Sequence, residues 1–270
     1  MNDKRVFNTK PKKQPSTNFK KIPKLGGILG LISFSTILPI NIHTSIEEMA
    51  SFTWFWPIIG GMIGIFVGTV GFLSLNVLHL PSLLTSALVY SFAIWFTGFH
   101  HLDGLMDMGD GLMVHGDYAK KINVMRDMMI GTGGISLFLI IALITFSSIN
   151  AIPAALIFLV LLVSEISAKM SLLSCATFST PLSNGTGQHF INSMNIPLLV
   201  FSLVITSIIG FFALKLTGIL GIIGALIGGY IISMIAKKHF RYATGDILGA
   251  SNEIGRAVSL VVMITALIYL

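Results

Sequence analysis

The chain has 270 residues, of which 54% are hydrophobic and only 10% charged, with a mean hydropathy of +0.86. A soluble domain carries about 25% charged residues to cover its surface, so this composition excludes a water-soluble globule and points to lipid as the solvent. The formal charge of +6 is concentrated: residues 1–25 hold eight Lys/Arg against Asp3 (+7), which leaves 17 − 8 = 9 bases and 11 − 1 = 10 acids, or −1, for the remainder.

That basic, Pro-containing stretch cannot bury an apolar core, which predicts a disordered cytoplasmic tail over 1–25 rather than a nucleic-acid-binding arm. Residues 26–270 read as a single integral membrane domain. The lone Cys175 excludes an internal disulfide framework, and the first apolar run starts too late for a cleavable signal peptide.

That first run, Gly26–Ile40, contains Ser33, Ser35, Thr36 and Pro39. It is too short to span, which predicts a re-entrant or interfacial segment. Apolar stretches near 54–75, 81–99, 131–149, 152–174, 196–214, 216–235 and 256–270 approach the roughly 20 residues that a helix needs to cross the hydrocarbon layer. No alternating ten-residue segments suggest a β-barrel. The expectation is an all-α, polytopic membrane helical bundle of six or seven spans. Lys120, Lys121, Arg126, Lys237, Lys238 and Arg241 place the polar loops 100–130, 176–195 and 236–255 on the cytoplasmic face of the cell membrane. Lys215 falls on the other side, against the rule.

The sharpest signal is Gly98-Phe-His-His-Leu-Asp-Gly-Leu-Met-Asp-Met-Gly-Asp-Gly-Leu112. Asp103, Asp107 and Asp110 recur at i, i+4, i+7, which stacks three carboxylates on one helix face. Three anions this close repel unless a cation sits among them, and Mg²⁺ takes such oxygen ligands together with substrate phosphates. Gly104, Gly109 and Gly111 lie between the acids and permit close approach of backbone or ligand. His101, beside the carboxylates, reads as a general base or a partner of a metal ligand.

Asp117–Ile130 carries apolar residues at Tyr118, Ile122, Met125 and Met129, the spacing of an amphipathic surface helix. Arg126 and Asp127 then lead into Gly131-Thr-Gly-Gly134. Gly131 and Gly133 at a helix N-terminus form either a phosphate cradle or a flexible glycine entry into a membrane helix. Asn184-Gly-Thr-Gly-Gln-His189, without acids, reads as a substrate loop through Asn184, Gly185 and Gly187. Thr244–Glu253 adds Asp246 and Glu253 to the cytoplasmic patches. Glu165 and Lys169, at i, i+4 inside a span, are expected to neutralise each other.

In order along the chain, these segments resemble the cobalamin synthase family, also called adenosylcobinamide-GDP ribazoletransferase. Phe55-Trp-Pro-Ile-Ile-Gly60 is similar to the family's Phe-Pro-Leu-x-Gly entry, and His101–Gly111 to its His-x-Asp-Gly-Leu-x-Asp-x-x-Asp-Gly signature. Met125-Arg-Asp-Met-Met-Ile-Gly131 resembles its Met-Lys/Arg-Asp-x-x-x-Gly step, and Thr244-Gly-Asp-Ile-Leu-Gly-Ala250 its Thr-Gly-Asp-x-x-Gly-Ala step. Departures occur at Ile37, where members often carry Arg, at Phe178-Ser-Thr-Pro181 in place of Tyr-Ala-Arg, and at Arg256 in place of an acid.

The resemblance implies transfer of adenosylcobinamide phosphate from its GDP adduct to α-ribazole or its 5′-phosphate, with GMP leaving and Mg²⁺ required. It implies catalytic roles for His101, Asp103, Arg126 and Asp127, metal ligation by Asp103, Asp107 and Asp110, and substrate contacts through Thr244, Gly245 and Asp246. A CDP-alcohol-type membrane phosphotransferase is the first rival, but its Asp-Gly-x-x-Ala-Arg pattern is missing. A transporter is the second, disfavoured because the acids cluster in loops rather than along a span.

Overall fold

The computed structural model describes residues 25–40 and 42–270. Apart from Leu25, the tail whose disorder the composition predicts lies outside the described residues. All named elements are helices: α1 (Gly26–Ser35), α2 (Ile46–Ala50), α3 (Trp56–Phe72), α4 (Ser82–Phe96), α5 (His100–Met113), α6 (Tyr118–Met125), α7 (Thr132–Asn150), α8 (Ile157–Phe178), α9 (Gly187–Ser193), α10 (Ile196–His239) and α11 (Gly245–Tyr269).

Five helical stretches among the described residues are long and apolar enough to cross a membrane, or six if the bent pair α4–α5 makes one crossing. One of the five, α10, has 44 residues, roughly 66 Å if straight and twice the hydrocarbon thickness. It is not straight. Leu214 and Lys215 leave helical geometry, Lys215 with φ 54°. A Cβ on Gly210 would lie 3.2 Å from the Gly218 backbone and 2.7 Å from the Ile222 side chain. Residues eight and twelve positions apart meet that closely only in a hairpin, so α10 supplies the two expected crossings 196–214 and 216–235. Lys215 sits at the hairpin tip with its Nζ 5.3 Å from the Phe211 ring centre. Counted by arms, the bundle has the expected six or seven crossings.

Helix α8 is the axis. Every residue from Val163 to Ala176 is buried, and α3, α10 and α11 pack around it. Against α3 the contact is backbone on backbone: Cβ atoms on Gly60 and Gly64 would fall 2.6 Å from the Glu165 carbonyl oxygen and 2.7 Å from that of Leu162. Without a hydrophobic drive between helices in lipid, this close van der Waals approach and interhelical hydrogen bonds hold them together. Ser171 and Ser251 supply such bonds between α8 and α11, Ser171 Oγ donating to the Ser251 carbonyl at 2.8 Å and Ser251 Oγ to the Ser171 carbonyl at 3.0 Å.

Four expectations need correction. The last span starts at Gly245 rather than near 256. Its polar residues hid it, because they are satisfied inside the bundle: Arg256 Nε donates to Glu165 Oε1 at 2.7 Å, its Nη2 to Glu165 Oε2 at 3.1 Å, and its Nη1 to Glu253. Glu253 is therefore an interior residue, not part of a cytoplasmic patch. Glu165 takes Arg256 as its ion-pair partner in place of Lys169. The amphipathic helix stops at Met125, with Ile122 and Met125 buried, while Met128, Met129 and Ile130 project outward, 98%, 79% and 64% exposed. Asp127 Oδ1 accepts from the Met129 amide at 3.3 Å and forms a turn there.

Candidate active site

A sharp corner builds the site. Gly98 and Phe99 both adopt positive φ (68° and 61°), and α5 leaves α4 at 91°. The acidic helix α5 therefore lies across one end of the bundle instead of continuing the crossing. Its glycines let neighbouring backbone come close. A Cβ on Gly104 would lie 2.5 Å from the Asp246 carbonyl oxygen, and one on Gly109 2.7 Å from that of Gly133. The residues between the acids thus admit α11 and α7.

The loops are drawn in by a short backbone bridge between Pro181 and Ala243, in which the Leu182 amide donates to the Ala243 carbonyl at 2.9 Å and the Ala243 amide to the Thr180 carbonyl at 2.8 Å. This brings the Asn184–His189 loop against the start of α11, where Thr244 is the N-cap, its Oγ1 accepting from the Ile247 amide at 3.4 Å and donating to Asp246 Oδ2 at 3.1 Å.

Two clefts result, and they share a wall of Thr186, Gly187, Gly245 and Asp246. One, about 230 Å³, is roofed by Phe34, Trp56, Phe190 and His100 and floored by His101, Asp103, Leu172 and Leu248. The other, about 180 Å³, is lined by Arg126, Leu182, Gly185, Gln188 and Thr244. Asp107 stands beside them, half-buried. Burial, then the nearby charges of Asp246, Asp103 and Asp110, push its carboxyl up to about 7. Four carboxylates are thus gathered from α5 and α11, although Asp246 stands 136 positions after Asp110 in the chain.

The structure sorts the expected site residues. His101, Asp103, Arg126, Gly185, Gly187, Thr244, Gly245 and Asp246 line one or both clefts. Asn184 stands at the loop's edge with φ 66° and its amide donating to Gln188 Oε1 at 2.8 Å. Asp127 lines neither cleft. Both oxygens of Asp110 are engaged by backbone: its Oδ2 accepts from the Gly131 amide at 2.7 Å and its Oδ1 from the Gly134 amide at 2.8 Å. The phosphate cradle expected at Gly131 and Gly133 is accordingly replaced. Asp110 serves as the anion at the N-terminus of α7, where amides and helix dipole favour negative charge. Gly133 packs on Gly109 and Met113.

Sequence reasoning missed two groups. Lys169 is fully buried, with its Nζ 2.7 Å from His101 Nε2. A lysine inside an apolar span was the available signal, since such residues are rare and usually functional. The aromatic roof comes from four separate segments and had no spacing to announce it.

Among the described residues, no three His, Cys, Asp or Glu side chains converge closely enough to form a ready metal cage. The donor chemistry nevertheless suits Mg²⁺, which typically takes one or two carboxylates and completes its shell with waters and substrate phosphates.

Fold and site define a polytopic membrane protein with an acidic, glycine-walled site at one end of its bundle. The chain belongs to the cobalamin-5-phosphate synthase family, whose model matches residues 27–264. It is similar to the adenosylcobinamide-GDP ribazoletransferase of Methanococcoides burtonii, at 31% identity over 87% of this chain and 90% of the relative. It also resembles the proteins of that name from Methanosarcina barkeri, at 31% over 85% and 88%, and Thermococcus kodakarensis, at 32% over 86% and 96%. No solved structure matches.

Proposed function

We propose that the chain is a Mg²⁺-dependent adenosylcobinamide-GDP ribazoletransferase that joins adenosylcobinamide phosphate to α-ribazole or its 5′-phosphate and releases GMP. One observation carries the reading beyond family membership: a basic, glycine-walled cleft and an aromatic cleft meet at Asp246, as a site joining a phosphorylated donor to a nucleoside acceptor requires. A ribose hydroxyl of the acceptor attacks the cobinamide-linked phosphorus, the bond from that phosphorus to the bridging oxygen breaks, and GMP departs with that oxygen.

Phosphoryl transfer is mostly positioning and charge neutralisation. Arg126 faces the donor phosphates from the basic cleft, with Gly185, Gly187 and Thr244 around them. Asp103 and Asp246 would hold the Mg²⁺, with Asp107 beside them and substrate phosphates and water completing its shell. When bound, Mg²⁺ neutralises phosphate charge and so favours attack by the acceptor. His101 lines the same cleft as Asp103 and meets Lys169 behind it. The Lys169 ammonium donates to its Nε2, which puts the ring proton on Nδ1, so His101 serves as a hydrogen-bond donor at the site and the hydroxyl proton passes to a neighbouring carboxylate. Asp110 sets the angle between α5 and α7 instead of binding a metal.

The site faces the cytoplasm of the cell membrane, as the positive loops direct. In a Cys175→Ser background, single cysteines at Ser183, Lys120 and Lys238, all exposed, should react with an impermeant maleimide only from the cytoplasmic side. Labelling of any of them from outside would split the site across the bilayer and rule out this mechanism. The activity itself is read in membranes given both substrates: Mg²⁺ should give a cobalamin and GMP in equal amounts, and EDTA should stop both. Turnover that persists in EDTA would remove the metal from the proposal.

A further inference from the structure

The cleft roofed by Phe34, Trp56, Phe190 and His100 lies beside the carboxylates, yet Asp103, Asp107 and Asp246 leave its rings unexplained. Helix α1 brings Phe34 there. It is latched to α3 by Trp56 Nε1 donating to Ser35 Oγ at 2.8 Å, and the chain beyond it by the Ile37 amide donating to the Phe96 carbonyl at 3.0 Å. Phe34 and Trp56 both pack on Phe190, with centroids 5.3 Å and 4.8 Å apart. The Phe34 and His100 rings are near parallel, 9° apart in plane, with centroids at 6.5 Å, the wide end of direct stacking. Both residues remain exposed and both line the cavity.

We propose that this aromatic cleft seats the base of the nucleoside acceptor, with Phe34 and His100 as its stacking surfaces and Trp56 and Phe190 as their rigid backing. The assignment rests on the transferase reading above. Charge assigns the two substrates to the two clefts. The lining of the aromatic cleft holds no Lys or Arg to bind a diphosphate, and its polar edge at Asp103 and Asp246 tolerates an uncharged nucleoside. The neighbouring cleft offers Arg126, and the donor's phosphates belong there. Chemistry points the same way. Phe34 and Phe190 offer flat apolar faces flanked by Leu172 and Leu248, with the polar side chains Thr97, Thr186 and His101 elsewhere in the lining. That suits a benzimidazole-type base, which lacks exocyclic donors and acceptors, better than guanine, whose amide edge would be left unpaired. A base seated here places its ribose toward Asp103 and Asp246, where the two clefts meet.

The test uses Phe34→Ala, because Phe34 is 42% exposed and its removal leaves the bundle's interior intact. Stacking on one aromatic side chain contributes enough that its loss should weaken α-ribazole binding about tenfold. The KM for α-ribazole should rise by about that factor, while the KM for adenosylcobinamide-GDP stays at the wild-type value. Free benzimidazole should inhibit competitively against α-ribazole and not against the donor. Phe212→Ala, a lipid-facing control 75% exposed, should change neither KM. Equilibrium dialysis of α-ribazole against purified protein, without donor, separates this inference from the reaction it rests on. Binding that weakens in Phe34→Ala, even if no cobalamin forms, supports the seat while the transferase reading fails. Turnover in the wild type with binding indifferent to Phe34→Ala, or a KM effect on the donor instead, overturns the seat while the transferase reading stands.

Discussion

Asp103→Asn and Asp246→Asn are each expected to lower turnover by about 10³-fold, the scale on which losing one preorganised electrostatic contact slows a reaction, while membrane insertion and thermal stability stay normal. Both residues line the aromatic cleft and Asp246 lines the basic one as well. Asn keeps their shape and removes the charge that would hold a divalent ion. Asp110→Asn should behave differently. Its carboxylate accepts from the Gly131 and Gly134 amides, and an amide side chain can accept from only one of them. The other N–H is left facing an NH₂, at a cost of about 1–3 kcal/mol. The expected phenotype is therefore a lowered melting temperature, with residual activity in the folded fraction at low temperature. Normal turnover in Asp103→Asn and Asp246→Asn, measured on detergent-purified protein, would contradict the placement of the chemistry between the two clefts.

The largest expected stability effect lies inside the bundle. Arg256, Glu165, Glu253 and Lys169 are each no more than 2% exposed. Their formal charges cancel (+1 − 1 − 1 + 1 = 0), and Arg256 is bonded to both acids. Arg256→Met leaves two interior carboxylates against Lys169 alone (−1 − 1 + 1 = −1), and removing one member of a buried pair costs about 3–5 kcal/mol. Thermal unfolding in detergent should show little folded protein for Arg256→Met. Arg256→Met combined with Glu253→Gln leaves Glu165 facing Lys169 (−1 + 1 = 0) and should recover most of the folded fraction. A single mutant that melts like wild type would show that the three side chains are not held together as a unit.

These residues also mark what the sequence discloses. Long apolar runs specified the crossings, even the hairpin in α10, because lipid demands about 20 apolar residues whatever the neighbours are. The acids of α5 were legible because three Asp interleaved with Gly have few structural uses at membrane depth. Their division of labour was not. Asp103, Asp107 and Asp110 look alike at i, i+4, i+7, and only the approach of α7 at Gly109 turns Asp110 toward the Gly131 and Gly134 amides. Glu165 has a lysine four residues away and an arginine 91 positions away, and local spacing favours the wrong one. The first turns of α11 were hidden because polar residues satisfied by a distant helix look like a loop in one dimension. The aromatic roof, assembled from residues 34, 56, 100 and 190, is a purely tertiary feature.

In the proposed reaction a phosphoryl group moves intact from donor to acceptor between the two clefts. The most direct measurement follows that phosphorus. Purified protein is given α-ribazole, Mg²⁺ and adenosylcobinamide-GDP labelled with ³²P only at the cobinamide-linked phosphorus. All of the label should appear in the cobalamin product and none in the nucleotide, which should be GMP. Label in a released GDP, or cobalamin formed without it, would mean that a different bond breaks and that the site does not perform this transfer.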